Sequence, residues 1–331
     1  MSDDVVDLGS FILQDEPPLA PHLREEPVSF TSRDGATITG FINYPANAPV
    51  TQKALFLHEI EGRADGGTMR VLARRYADMG IATLRIDFSG HGDRKAEWEN
   101  YSPQSMFTDA VSSLDWMDQK WPEVEKSILC GFSTGGAISL MLRAADERVS
   151  KCCLLYPVLS FRENFLAAAY ADRLLVPIND WDTLTPWRAD TFTREKIESS
   201  LNDHAPFSLL IHTYGADFIK GCKQIIDSGR DIPALLNASR APVTVIQGTH
   251  DFCVPWVLAD MLGEYGRRHD IPLKVITMEG MDHFVPTEWK PSVIKQFKKA
   301  AMAEGNNFDS RPVTINVKKE ATNLSPPEPQ P

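Results

Sequence analysis

Between residues 54 and 159 the chain alternates short, uninterrupted apolar runs with longer segments of helical spacing, and few folds satisfy that rhythm. The apolar runs are residues 54–58, 81–87, 128–130 and 149–159. A strand that is apolar at every position must be covered on both faces, which points to a parallel sheet held between two helical layers. The helical segments between them are 68–79, with Met69, Leu72, Ala73 and Tyr76 on one side before Gly80, then 103–120 and 137–145. The same alternation returns with strands at 243–248 and 273–278 and helices at 255–269 and 289–303. Ahead of all this, residues 28–33 and 36–44 alternate around Asp34-Gly35, a hairpin signal that gives the sheet an antiparallel start. The expected class is α/β, a mostly parallel twisted sheet with helices on both faces.

Residues 161–240 interrupt the rhythm with an insertion of about 80 residues that is too aromatic for a linker, including Phe161, Phe165, Trp181, Trp187, Tyr214 and Phe218. Segments placed over the carboxyl ends of parallel strands are where ligand sites form, so we expect a helical lid or cap lining a pocket. A helical layer that only adds core is the plainer alternative. The expected organisation is an N-terminal arm at 1–26, a core from 27–160 and 241–304, the lid at 161–240, and a flexible, proline-rich C-terminal tail at 305–331. The apolar patch Phe11-Ile12-Leu13 within the arm could serve a homodimer.

A net charge of −11 argues against nucleic-acid partners and anionic membrane surfaces. No window approaches the roughly 20 apolar residues of a membrane span. Met1-Ser2-Asp3-Asp4 lacks the basic and apolar regions of a secretion signal, and the five cysteines lack metal-ligand spacing. Reduced thiols in a cytoplasmic protein, with no cofactor and no metal, are the expectation.

The chemistry centres on Gly131-Phe132-Ser133-Thr134-Gly135, which fits G-x-S-x-G between an apolar run and a helical segment. In that context the serine sits on a sharp strand-to-helix turn with its hydroxyl presented to the pocket. A serine hydroxyl is a weak nucleophile at neutral pH and needs a base within reach and an acid to orient that base. Asp251 and His283 each follow a predicted strand, which brings both to the carboxyl edge beside Ser133. The other histidines fit less well. His250 points to the opposite side of an extended segment from Asp251, His91 reads as structural, and His204, His212 and His269 carry no motif. Asp282 is too close in sequence to bind the His283 ring, and Cys253 reads as a packing residue. The oxyanion formed by serine attack needs donors, for which the Thr134 amide at a helix N-terminus and an amide from the loop after His58 are suited.

These stretches resemble the α/β-hydrolase superfamily over about residues 28–303, through Leu55-Phe56-Leu57-His58, Arg85-Ile86-Asp87-Phe88-Ser89-Gly90-His91-Gly92-Asp93, Gly131-Phe132-Ser133-Thr134-Gly135-Gly136, Gln247-Gly248-Thr249-His250-Asp251 and Gly280-Met281-Asp282-His283. Within it the chain looks most like cinnamoyl or feruloyl esterase-like and acyl-thioesterase-like serine hydrolases. The resemblance implies an α/β-hydrolase fold, a Ser133-Asp251-His283 triad, and an oxyanion hole from the Ile60 and Thr134 amides. It departs where relatives carry His-Gly and this chain has His58-Glu59, so Glu59 is expected to point away from the hole or to bind a substrate or lid group. The activity implied is cleavage of a carboxylic ester or thioester through an acyl-enzyme, with Trp181 and Trp187 as candidate contacts to an apolar or aromatic acyl group. The alternatives are acyl transfer or thioester release with an acyl carrier protein as partner, and a non-catalytic binding module on the same fold.

Overall fold

The computed structural model describes residues 18–60, 62–162, 164–165, 194–209, 212–228, 232–251, 253–283, 285, 287–303 and 308–316. Trp181, Trp187 and the apolar patch at 11–13 lie outside them. The strands are β1 (Leu23–Thr31), β2 (Thr37–Pro45), β3 (Gln52–Leu57), β4 (Ile81–Ile86), β5 (Ser127–Phe132), β6 (Val149–Leu155), β7 (Phe207–Leu209), β8 (His212–Tyr214), β9 (Val243–Gly248), β10 (Leu273–Met278) and β11 (Val313–Ile315). The helices are α1 (Gly67–Ala77), α2 (Pro103–Lys120), α3 (Thr134–Ala145), α4 (Arg194–Asp203), α5 (Ala216–Asp227), α6 (Ile232–Asn237), α7 (Trp256–Arg268) and α8 (Lys290–Met302).

Nine strands form one sheet in the order β1-β2-β4-β3-β5-β6-β9-β10-β11. The pairings of β1 with β2 and of β2 with β4 are antiparallel, and every pairing from β4 to β11 is parallel. The uninterrupted apolar runs are explained by the two faces. Leu55, Leu57 and Leu129 enter one core with α2, α3 and α7, while Ala54, Phe56, Ile128 and Cys130 enter the other with α1 and α8. Successive strand residues point to opposite faces, so both sets must be apolar. Helix starts follow local chemistry, as at α2. There the Ser102 hydroxyl accepts the Ser105 N–H at 3.1 Å, the Ser105 hydroxyl accepts the Ser102 N–H at 3.0 Å, and Pro103 opens the first turn.

Between β6 and β9 the described part of the insertion contains α4, α5, α6 and the separate β7–β8 hairpin. Among the described residues no helix is long and apolar enough to cross a membrane, and all five cysteines are buried and free.

Two boundaries differ from the sequence expectation. The strand pairing begins at Leu23, so residues 23–26, assigned to the arm, belong to the sheet. The reason is electrostatic. Glu25 accepts hydrogen bonds from Arg70 at 2.7 Å, Arg74 at 2.9 and 3.0 Å, Arg85 at 3.0 Å and Asn43 at 2.9 Å. The Arg85 side chain is fully buried, and a buried guanidinium needs a carboxylate and further acceptors around it. The second difference is β11, which lies in the segment expected to be a flexible tail. Val313, Thr314 and Ile315 are β-branched and pair in parallel register with Ile276, Thr277 and Met278, covering the edge of β10.

Burial works against the Glu25 charge, yet the hydrogen bonds from Arg74, Arg70 and Asn43 and the Arg85 charge hold the carboxyl well below the usual range. Its stabilising contribution is therefore present above the ordinary glutamate value and is lost as pH falls through the acid range. Replacing Glu25 by Ala takes the carboxylate away from the buried Arg85, which still donates to the Ala64 carbonyl and the Asn43 Oδ1, and should cost about 3–5 kcal/mol in a urea titration.

Candidate active site

The carboxyl ends of β5, β9 and β10 bring Ser133, Asp251 and His283 to one edge of the sheet. Ser133 lies between β5 and α3 with φ 47° and ψ −114°, a conformation that a residue with a side chain rarely adopts. The surroundings hold it there. Its N–H donates to the Leu155 carbonyl at 3.0 Å, and its own carbonyl accepts the N–H groups of Gly136 and Val158, both at 2.9 Å. The flanking glycines are required by close approach. A Cβ at Gly131 would stand 2.4 Å from the Ser139 Oγ, and one at Gly135 would stand 2.2 Å from the Leu57 carbonyl oxygen at the end of β3.

Asp251 is buried just after β9. Its Oδ1 accepts the backbone N–H groups of Cys253 at 2.9 Å and Val254 at 2.8 Å, and its Oδ2 accepts the Gln247 side-chain amide at 2.9 Å. The His283 Nδ1–H donates to the same carboxylate, 3.1 Å from Oδ1 and 2.9 Å from Oδ2. With Nδ1 committed as donor, Nε2 is left with the lone pair. Burial works against a charged His283. The Asp251 charge and hydrogen bond, followed by the charges of Glu59 and Asp282, outweigh it and raise the imidazole above its ordinary value. The Tyr156 ring packs on His283 with centroids 4.2 Å apart.

The loop after β3 is fixed by His58. The Phe88 N–H donates to its Nε2 at 3.1 Å, so the proton is on Nδ1, which donates to the Glu59 carbonyl at 2.6 Å. Burial, and then the neighbouring His91, push the His58 imidazole well down and keep it neutral. The turn closes with the Gly62 N–H on the Glu59 carbonyl at 3.0 Å. A Cβ at Gly62 would lie 2.9 Å from both the Glu59 carbonyl oxygen and the His58 Cβ, so the turn requires glycine at position 62. The Glu59 side chain is partly exposed and its charge reaches His283 and Tyr156.

Ser133, His283, Ile60 and Thr134 wall one small cavity of about 20 Å³, together with Phe161, Phe165, Tyr214 and Phe218 from the insertion. Thr134 is the first residue of α3, where an N–H has no carbonyl of its own helix to bind. The residues picked from sequence at 60, 133, 134, 251 and 283 thus converge, Glu59 stands beside them, and Trp181 and Trp187 fall outside the described residues. His250 is exposed, and the His91 ring is turned to the Ser89 carbonyl at 3.0 Å.

Gln247, Asn164 and the backbone role of Cys253 escaped the sequence reading. Gln247 had a signal, being, with Thr244, one of two polar residues in a buried strand and four positions before Asp251. Asp251, Cys253 and His283 place metal-capable atoms within 4.8 Å of one another. Burial and the nearby Asp251 push the Cys253 thiol well up, and Asp251 and His283 bind each other, so the donor set suits a proton relay better than an ion.

A family model described as serine aminopeptidase, S33 (Hydrolase_4), matches residues 62–288. The chain belongs to that family of α/β hydrolases. Among solved structures it is similar in fold to Est1E from Butyrivibrio proteoclasticus, at a TM-score of 0.60 and 16% identity, covering 82% of this chain and 96% of that one. Est1E has also been solved with ferulic acid bound, at a TM-score of 0.57, 15% identity and coverage of 85% and 97%. The Pyrococcus furiosus esterase Pf2001 aligns at a TM-score of 0.56 and 16% identity over 84% of this chain and 91% of that one. A curated relative, the uncharacterized protein RP471 of Rickettsia prowazekii (strain Madrid E), is 31% identical over 99 residues, spanning 29% of this chain and 40% of that protein.

Glu59→Gln removes an anion that favours charged His283. The His283 imidazole should then titrate at lower pH than in the wild type, as read from its ring proton shifts in an NMR pH series.

Proposed function

We propose that this protein is a serine hydrolase that cleaves a carboxylic ester or thioester through an acyl-enzyme. The observation that carries the reading is the His283 Nδ1–H bond to a buried Asp251 carboxylate, with His283 and Ser133 walling the same cavity. In this reading Ser133 Oγ attacks the carbonyl carbon while the His283 Nε2 takes the hydroxyl proton. Asp251 holds the ring in the required tautomer and stabilises the imidazolium. The tetrahedral oxyanion is received by the Ile60 and Thr134 amides, the second reinforced by the dipole of α3. Collapse of the intermediate breaks the bond to the alcohol or thiol, which leaves with the proton from His283. A water molecule then repeats the sequence on the acyl-enzyme and frees the acid.

His58 has a supporting part. Held neutral between Phe88 and the Glu59 carbonyl, it sets the path of the loop that carries the Ile60 amide. The apolar and aromatic walls contributed by Phe161, Phe165, Tyr214 and Phe218 support an apolar or aromatic acyl group. That Est1E has been solved with ferulic acid bound supports including hydroxycinnamate esters among the candidates. We read the insertion as a cap over this site, and the five buried, free cysteines as those of a cytoplasmic protein.

A panel of p-nitrophenyl esters, acyl thioesters, hydroxycinnamate esters and aminoacyl anilides tests the reaction class. Turnover of an ester or thioester is expected, and turnover confined to the anilides would replace the ester reading with an amidase. Ser133→Ala should abolish both turnover and labelling by a fluorophosphonate, and a labelled mutant would remove Ser133 from the mechanism. Asp251→Asn should lower kcat by roughly 10⁴-fold, because the ring is then presented in the wrong tautomer.

A further inference from the structure

Asn164 follows β6 at the start of the insertion, with its backbone N–H on the Ser160 carbonyl at 2.8 Å. The residue is 9% exposed, and it forms part of the wall of the Ser133 cavity. Among the described residues its Oδ1 is buried with no hydrogen-bond partner. Among the described residues the same cavity is also lined by the apolar or aromatic Ile60, Val158, Phe161, Phe165 and Phe218, and on its reactive side by Ser133 and His283. A buried polar atom left unmatched costs stability, and a leucine of similar size would fill the same place without that cost. The cavity of about 20 Å³ exceeds the 10–15 Å³ that a single water needs, and a larger acyl group enters it only as the side chains around it shift.

From this unmatched acceptor in the wall of the Ser133 cavity, we infer that Asn164 is a specificity-determining residue that selects acyl groups carrying a hydrogen-bond donor, a hydroxyl in the simplest case. The inference rests on the serine-hydrolase reading above and names the substrate class of that same site. The acyl part is assigned to the cavity because it stays bonded to Ser133 through the acyl-enzyme, whereas the leaving group must depart and make way for water. A site built to bond a hydroxyl discriminates strongly against the analogue that lacks it, because the analogue leaves the buried acceptor unpaired. The aromatic wall accepts the carbon skeleton, and Asn164 reads the one polar substituent.

The test compares kcat/KM for methyl esters in matched pairs: butanoate against 2- and 3-hydroxybutanoate, and benzoate against 3- and 4-hydroxybenzoate. At least one hydroxylated ester should exceed its parent by about tenfold or more in the wild type. Asn164→Leu should bring that ratio to one or below, and Asn164→Asp, which keeps an acceptor oxygen, should retain a ratio above one. A structural role alone would change stability and leave the ratio in place. A wild type without preference in any pair, or a preference that survives Asn164→Leu, overturns the inference even if the esters are hydrolysed. Calorimetric binding of the corresponding free acids to Ser133→Ala, with and without Asn164→Leu, gives a second readout that needs no turnover. Loss of all ester turnover and fluorophosphonate labelling would instead strike the hydrolase reading, while acid binding would still report on Asn164.

Discussion

The close approach of α3 to the end of β3 is the contact on which the site depends. With no side chain at Gly135, the first turn of the helix sits against the Leu57 and His58 carbonyls. That proximity brings Thr134, Ile60 and Ser133 into the wall of one small cavity. It also obliges the backbone to turn sharply at Ser133, and the strain is sustained because β6 and the segment after it bond both sides of the turn. A strained residue persists only where its surroundings over-determine it, and here two strands and a helix do so.

Around this turn, charges are placed so that each buried one has a named counterpart. Asp251 is met by two backbone amides, a glutamine and the histidine it orients. The loop after β4 is organised in the same way. Asp87 accepts the Ala64 N–H at 2.7 Å, and Arg94 bonds Asp109 at 2.7 Å and the Ser89 hydroxyl at 2.8 Å. Burial pushes the Asp109 carboxyl up to about 6 against the pull of Arg94. This loop presents the Phe88 amide to His58, so the polar run Asp87–Asp93 supports the cavity from behind without entering it. Glu59 adds a negative charge on the histidine side, where it favours the imidazolium that an acyl-transfer cycle would form.

Much of this was legible in the residues. The uninterrupted apolar runs require a doubly covered parallel sheet, and the positions of Asp251 and His283 after two of its strands put them at the same sheet edge as Ser133. Short-range patterns served less well where a distant partner decided the outcome. Residues 23–26 read as an acidic arm because Glu25 finds its arginines 45 to 60 positions away. Val313–Ile315 read as tail because three residues carry too little pattern to announce a strand, and the open edge of β10 that takes them is a property of the assembled sheet. Gln247 and Asn164 are ordinary polar residues until the fold shows what surrounds them.

The sequence by itself determined the class of fold, the elbow serine and the chain order of the two partners, because hydrophobic period and turn chemistry are local properties. Only the tertiary structure decided that this loop requires glycine at position 62, since the crowding there depends on where the His58 side chain lies. It alone decided that the Asn164 oxygen is buried without a partner on a residue that lines the cavity. Hydrogen-bond satisfaction is a property of the whole surroundings of an atom, and no window of sequence contains them.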